Sequence, residues 1–211
     1  MNRLGLRMMM GMALVAVLIA SLFLFVGANK AAANPDTPVS EATPATPVSE
    51  AAPKSGRSSI PSYMQDHIPS PAEVGNGLYS FLFMDIYNAR LIAPHGEYDA
   101  NKPFALSLTY LRSFKGSAIA KESVKQMRGQ GFDDTIKSAA WYTLMNDIFP
   151  NVHAGDTITG IATADKKTAF FLNGEEIGTI NDPEFTDRFF GIWLSSDTSA
   201  PQLRSELLAT R

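Results

Sequence analysis

The sequence predicts an α+β domain: an antiparallel β-sheet with helices packed on one face. Three observations carry that prediction. Strand-like and helical stretches fall in segregated runs, strands then two helices, strands then two helices, as in an α+β rather than an alternating α/β domain. Asn173-Gly174 sits between two strand-like stretches and is a strong hairpin signal. The chain closes on two capped helices, the first carrying Phe185, Phe189, Ile192 and Trp193 at spacings of three and four. So many aromatic side chains on one helix face need a large apolar surface to cover, most simply a sheet.

The 211-residue chain has room for one domain of ordinary size plus flanking segments. Arg3 and Arg7 precede a run from Met8 to Ala28 that is continuously apolar or Gly/Ser, a positive start followed by a membrane-seeking segment. Ala31-Ala32-Ala33 supplies small residues for cleavage. Residues 1–33 are therefore expected to form a signal peptide or an N-terminal membrane anchor. Because the arginines lie before the apolar run, either case puts the rest outside the cytoplasm. A periplasmic protein exported by a cleaved signal is the expectation, with inner-membrane anchoring as the alternative.

Residues 34–72 are rich in Pro, Ala, Ser, Thr and Glu, and Thr37-Pro-Val-Ser-Glu-Ala42 recurs as Thr46-Pro-Val-Ser-Glu-Ala51. Such a composition buries too little apolar surface to offset its ordering entropy, so it reads as a disordered tether. Ser62 to Ile68 is credited with no more than loose packing against the domain edge.

The folded domain is expected over residues 73–211. Leu78 to Met84 and Ile86 to Ala93 read as strands. Phe104 to Ser113 alternates, with Phe104, Leu106, Leu108, Tyr110 and Arg112 on one side. Ser117 to Gly129 reads as a helix. Asp133 or Asp134 caps the next, whose stripe is Ile136, Trp141, Leu144, Met145 and Ile148 before Pro150 stops it. Thr157 to Ala164, Thr168 to Leu172 and Glu176 to Ile180 are strands. Asp182-Pro183 opens the first closing helix, and Ser199 with Pro201 opens the second.

Composition excludes several chemistries. There are no cysteines, so disulfides, thiolate metal sites and Cys nucleophiles are ruled out. His67, His95 and His153 are far apart and lack metal-ligand spacing, so no metal and no cofactor is expected. The net charge of −3, without a basic patch interleaved with aromatics, argues against nucleic acid. Gly155-Asp156 reads as a turn before a strand rather than a catalytic acid. Arg112 stands out: on a strand face that reads as core-directed, its charge needs a carboxylate, an exit to water or an anionic ligand. A salt bridge to Asp147 or Glu122 is the plainer reading. Tyr110, Lys125, Arg128 and Trp141 complete the group of interest.

With these landmarks the chain resembles the bacterial chalcone isomerase-like family. The matching residues are Val74-Gly-Asn-Gly77, Ile86-Tyr87-Asn-Ala-Arg90-Leu91, Leu108-Thr-Tyr-Leu-Arg112, Ser123-Val-Lys-Gln-Met-Arg128, Trp141, Phe149-Pro-Asn-Val152, Gly155-Asp156, Asn173-Gly174, Phe189 to Leu194 and Ser199 to Leu208. The resemblance implies an open-faced sandwich with a ligand cleft between sheet and helices. Plant enzymes of this fold close a flavonoid ring using an arginine on an early strand and a tyrosine and an asparagine on the helix after the central strand. Other members bind fatty acids without chemistry. Here Ile119 falls where that tyrosine would be, Gln126 where the asparagine would be, and Leu78 or Tyr79 near the arginine. Ile119 has no ionisable hydroxyl, so no catalytic residue is carried over.

The resulting expectation is a non-catalytic envelope protein that binds a small apolar anion, such as a fatty acid, between sheet and helices. Arg112 and Tyr110 would hold the head group, with Arg128, Trp141 and Tyr87 lining the site. No nucleic-acid partner is expected, and membrane contact only through the N-terminal segment. The alternatives are an isomerase or lyase acting on a hydrophobic substrate in the same cleft, and a tethered interaction module whose cleft is filled core.

Overall fold

Six strands run as an antiparallel meander in the order β1 to β6: β1 (Pro71–Phe81), β2 (Met84–Pro94), β3 (Phe104–Tyr110), β4 (Thr157–Ala162), β5 (Thr168–Leu172) and β6 (Glu175–Ile180). Helices α1 (Gly116–Gly129) and α2 (Thr135–Ile148) fill the connection from β3 to β4, and α3 (Pro183–Leu194) and α4 (Pro201–Leu207) follow β6. The computed structural model describes residues 60–210; the expected signal or anchor and the repeat-bearing segment lie outside the described residues.

The main core lies between one sheet face and the helices. Ala89, Leu91, Phe104, Leu106, Leu108, Ile158 and Phe170 supply the sheet side, and Met127, Trp141, Met145, Phe185, Phe189, Trp193 and Leu203 the helix side. Asp134 and Asp182 act as the predicted N-caps, each carboxylate accepting from two backbone N–H groups of the first turn. Helix α4 lacks a side-chain cap: its N-cap is Ala200, and the Ser199 hydroxyl donates instead to Gln126 Oε1 at 2.9 Å.

Four local expectations are corrected. β1 starts at Pro71 rather than Leu78, through glycines that look like loop in the sequence. Helix α4 packs directly on them, its backbone on Gly75 and its side chains on Gly77: a Cβ on Gly75 would sit 2.2 Å from the Glu206 carbonyl oxygen, and one on Gly77 2.8 Å from Leu203 Cδ1. The first hairpin turns at Leu82-Phe83, with φ of 48° and 65°. That left-handed pair is normally Asn-Gly and costs about 1–2 kcal/mol per non-glycine residue. β3 ends at Tyr110, so Leu111, Arg112 and Ser113 are exposed beyond it. On α2 the buried face is Ser138, Trp141 and Met145, whereas Ile136 is 82% and Leu144 44% exposed.

The second sheet face has its own core. Met64 and Ile68 pack with Ile92, Ala105, Ile161, Ala169 and Phe171, flanked by Ile60 and Tyr63. Tyr63 stacks on Phe171 at 4.7 Å, and its hydroxyl donates to Thr159 Oγ1. The tether reading of residues 34–72 is therefore corrected for its last part: the compact unit begins at Ile60. A few large side chains in a polar segment suffice when a sheet offers an uncovered apolar strip.

Ile68 is fully buried, so Ile68→Ala is expected to lower the unfolding free energy by about 2–5 kcal/mol in urea titration. A spacer residue would shift it by no more than about 0.5 kcal/mol.

Candidate functional site

Two places on the helix-covered side combine apolar walls with polar groups. The first lies at the β1–β2 turn end of the sheet. Tyr79 and Tyr87 face each other across β1 and β2 and stack at 5.0 Å; Tyr110 meets Tyr87 edge-on at 6.0 Å. Trp193 Nε1 donates to the Tyr87 hydroxyl at 2.9 Å. From α1, Ile119 packs against this core, and Glu122 accepts from Gln126 Nε2 at 2.7 Å and Lys125 Nζ at 3.2 Å. Burial pushes the phenols of Tyr87 and Tyr110 well above the usual tyrosine range. Burial also raises Tyr79, reinforced by the Glu122 charge. All three are therefore hydrogen-bond donors or acceptors at neutral pH and not bases.

Of the five residues singled out from sequence, only Tyr87 and Tyr110 meet here. Arg112 is exposed past the end of β3, where Nε donates to the Asp85 carbonyl oxygen at 3.2 Å. Extending the strand alternation two residues too far had turned it inward. Arg128 is exposed on α1 and lines an outer groove with Lys121, Ser138 and Tyr142 of the α1–α2 pair. Trp141 is core: it stacks on Phe132 at 4.5 Å, and its Nε1 donates to Asp182 Oδ2 at 2.9 Å. These three do not join the tyrosines in one head-group site.

Asp156 has a structural task. Its carboxylate accepts from the His153 backbone N–H at 2.7 Å and from Asn173 Nδ2 at 2.9 Å, tying the β4 approach to the β5–β6 turn. The Asn173 bond leads in holding its pKa below the ordinary carboxylate value.

The second place is a groove of about 380 Å³ at the opposite end of the sheet, between sheet and α3. Phe104 and Ala162 of the strands face Phe190 and Leu194 of the helix, with Tyr98 at the side. Lys102 and Lys166 stand at its rim with Asp187. The Lys166 ammonium donates across the mouth to the Ala100 carbonyl oxygen at 3.1 Å. Tyr98 is pushed up to about 12, chiefly by burial and partly offset by the Arg204 charge, so it stays a protonated donor. The volume lies at the small end of the roughly 300–1,000 Å³ typical of small-molecule sites. Sequence reading missed this groove because its walls come from the β2–β3 loop, the β4–β5 turn and α3. Only the register of β3 on β4, with Phe104 opposite Ala162, brings them together.

Comparison with known proteins fits this architecture. The chalcone isomerase-like family model matches residues 74–209. An uncharacterized protein of Haemophilus influenzae is 27% identical over 136 residues, 64% of this chain and 66% of that one. The crystal structure of a fatty-acid binding protein of Arabidopsis thaliana superposes with a TM-score of 0.53 at 12% identity, over 66% of this chain and 87% of that chain. The chain belongs to the chalcone isomerase-like family, and its fold is that of the plant protein.

Asp182 joins three elements, capping α3 while holding the Trp141 indole. Burial raises its pKa, but the indole and the two N–H groups outweigh this and leave it below the ordinary value. A depressed folded pKa gives stability that is present above the unfolded value of about 3.9 and lost as pH falls through the folded one. Asp182→Ala is expected to cost about 2 kcal/mol at pH 7 from the lost cap and indole bond. Asp182→Asn should cost less and flatten the acid limb, both read by urea unfolding at pH 7 and pH 3.

Proposed function

We propose that this family member is a non-catalytic envelope protein, exported or anchored by its N-terminal segment, that binds a small, largely apolar anion such as a fatty acid. The observation that carries this reading is the groove beneath α3. The edges of the largely buried Phe104, Ala162, Phe190 and Leu194 supply the apolar part of a mixed lining for an acyl chain, and Lys102, Lys166 and the Tyr98 phenol, which outnumber the one rim carboxylate of Asp187, suit a carboxylate head. The fatty-acid binding name of the plant structural neighbour is consistent with such a ligand. The head group is reassigned from Arg112 to the lysines at the other end of the sheet.

Chemistry has less support. Ile119 stands where the resemblance would put the acid–base tyrosine, and Gln126 is engaged by Glu122 and Ser199. Burial makes the neighbouring phenols still harder to deprotonate than a free tyrosine. A second reading, an interaction module without ligand, is favoured by the filled centre of the layer interface, where Trp141, Phe170, Phe185 and Phe189 leave their rings in mutual contact.

Fluorescent fatty-acid displacement on the purified protein tests the proposal, with mass spectrometry of extracted ligands. Paired Lys102→Glu and Lys166→Glu substitutions are expected to weaken binding about tenfold or more, the loss of a charge-assisted contact. Ala162→Trp should abolish it by filling the groove, and Arg112→Ala should leave it unchanged. No displaceable binding, or equal affinity in all four proteins, would remove this reading in favour of the interaction module.

A further inference from the structure

The groove beneath α3 is short, and one ring closes its inner end. Phe104 of β3, Ala162 of β4 and Thr168 of β5 lie side by side in register as the last row of the sheet at this end, and Phe104 and Ala162 line the groove. The next row inward on the same face is Leu106, Gly160 and Phe170. Gly160 leaves a gap in that row, and the tip of the Phe190 ring fills it: a Cβ on Gly160 would sit 3.3 Å from Phe190 Cε1 and Cζ. Phe190 also meets Phe104 edge-on at 4.7 Å and Phe189 at 5.4 Å. The ring therefore stands between the groove and the aromatic centre built by Phe170, Phe189 and Trp193.

The mouth is fixed as well. Lys102 Nζ lies 3.8 Å from Asp99 Oδ2, and Lys166 Nζ donates to the Ala100 carbonyl oxygen at 3.1 Å, so both ammonium groups are kept at the rim. Between mouth and stop the space is limited. At the roughly 30 Å³ of a liquid water molecule, which a methylene group resembles in size, the groove of about 380 Å³ holds about a dozen non-hydrogen atoms, those of an acid of about ten carbons. The apolar surface on offer is equally small. Phe104, Ala162, Phe190 and Leu194 are each no more than 7% exposed, and Asn101, Thr163, Thr186 and Ser195 share the lining. A long acyl chain would leave most of its methylenes on polar groups or in water, whereas a short one is covered.

We propose that the groove selects short- and medium-chain carboxylates, up to about ten carbons, and that Phe190 sets this limit. The carboxylate is held at the mouth by Lys102 and Lys166, the chain runs inward along Phe104, Ala162 and Leu194, and the Phe190 ring over Gly160 stops it. Gly160 is the counterpart of the stop, since a side chain there would press on the ring that closes the groove. The inference rests on the reading of the groove as a carboxylate site; it adds the class of acid taken and the residue that chooses it.

Titration calorimetry of the full-length protein with straight-chain carboxylates from butanoate to hexadecanoate, each below its micelle concentration, tests this. Affinity is expected to rise by up to about fourfold per added methylene as far as octanoate or decanoate, and then to level off or fall. Phe190→Leu, shown to be folded by urea unfolding, is expected to move the break to longer acids and to strengthen dodecanoate binding about tenfold, as two further methylenes find cover. The length limit is read from the unaltered protein alone, so it stands or falls whether or not the variant folds. Affinity that climbs unbroken to hexadecanoate overturns the limit and leaves the carboxylate reading in place. A break that stays at the same length in Phe190→Leu overturns the role of Phe190. If no acid of any length binds, the carboxylate reading falls and this inference with it.

Discussion

Phe185, Phe189 and Trp193 of α3 stand ring against ring above Phe170 of β5, with centroid separations of 5.2 Å from Phe170 to Phe189 and 5.4 Å from Phe189 to Trp193. The rest of the domain is arranged around the space they fill. Edge-to-face pairs of this kind contribute about 0.5–1.5 kcal/mol each beyond burial, and they seal the centre of the layer interface. Phe149 extends the cluster from the end of α2, and Trp141 joins it through Phe185. Asp182 fixes the angle at which α3 leaves β6 by capping the helix and holding the Trp141 indole together. What remains for a ligand is space at the ends of the sheet.

Those two ends differ in character. At the β1–β2 turn end the interlayer space is occupied by stacked tyrosines and by Ile119 under α1, with the Tyr87 hydroxyl already bonded to Trp193. At the other end Phe190 meets Phe104 edge-on at 4.7 Å and leaves a groove of mixed apolar and polar lining beside them, with Lys102, Lys166 and Asp187 at its mouth. The division leaves the lysine end as the place proposed for a ligand.

Much of the fold was legible because its signals are local. Caps at Asp134 and Asp182, the Asn173-Gly174 turn and the aromatic face of α3 each depend on residues within one or two turns of one another. The misreadings share the opposite property. Gly75 and Gly77 belong to a strand because α4 arrives on them from more than a hundred residues away. Met64 and Ile68 are core because the far sheet face is apolar, a fact outside their own segment. For the site, Tyr87 and Tyr110 lie in stretches that read as strands, but only the register sets them opposite each other, and the direction of Arg112 depends on where a strand stops. The groove was invisible because no single stretch of sequence encodes it: its parts come from two loops and a helix.

With its aromatic centre sealed, the domain leaves the groove under α3 as the proposed place for a ligand. A crystal structure of the protein with a terminally brominated fatty acid tests it most directly, through the anomalous signal of the bromine and the density of the carboxylate. The expected density has the acyl chain against Phe104, Ala162, Phe190 and Leu194 and the carboxylate at Lys102 or Lys166. An acyl chain threaded between Phe170 and Phe189, or a carboxylate at Tyr110 and Arg112, would contradict it.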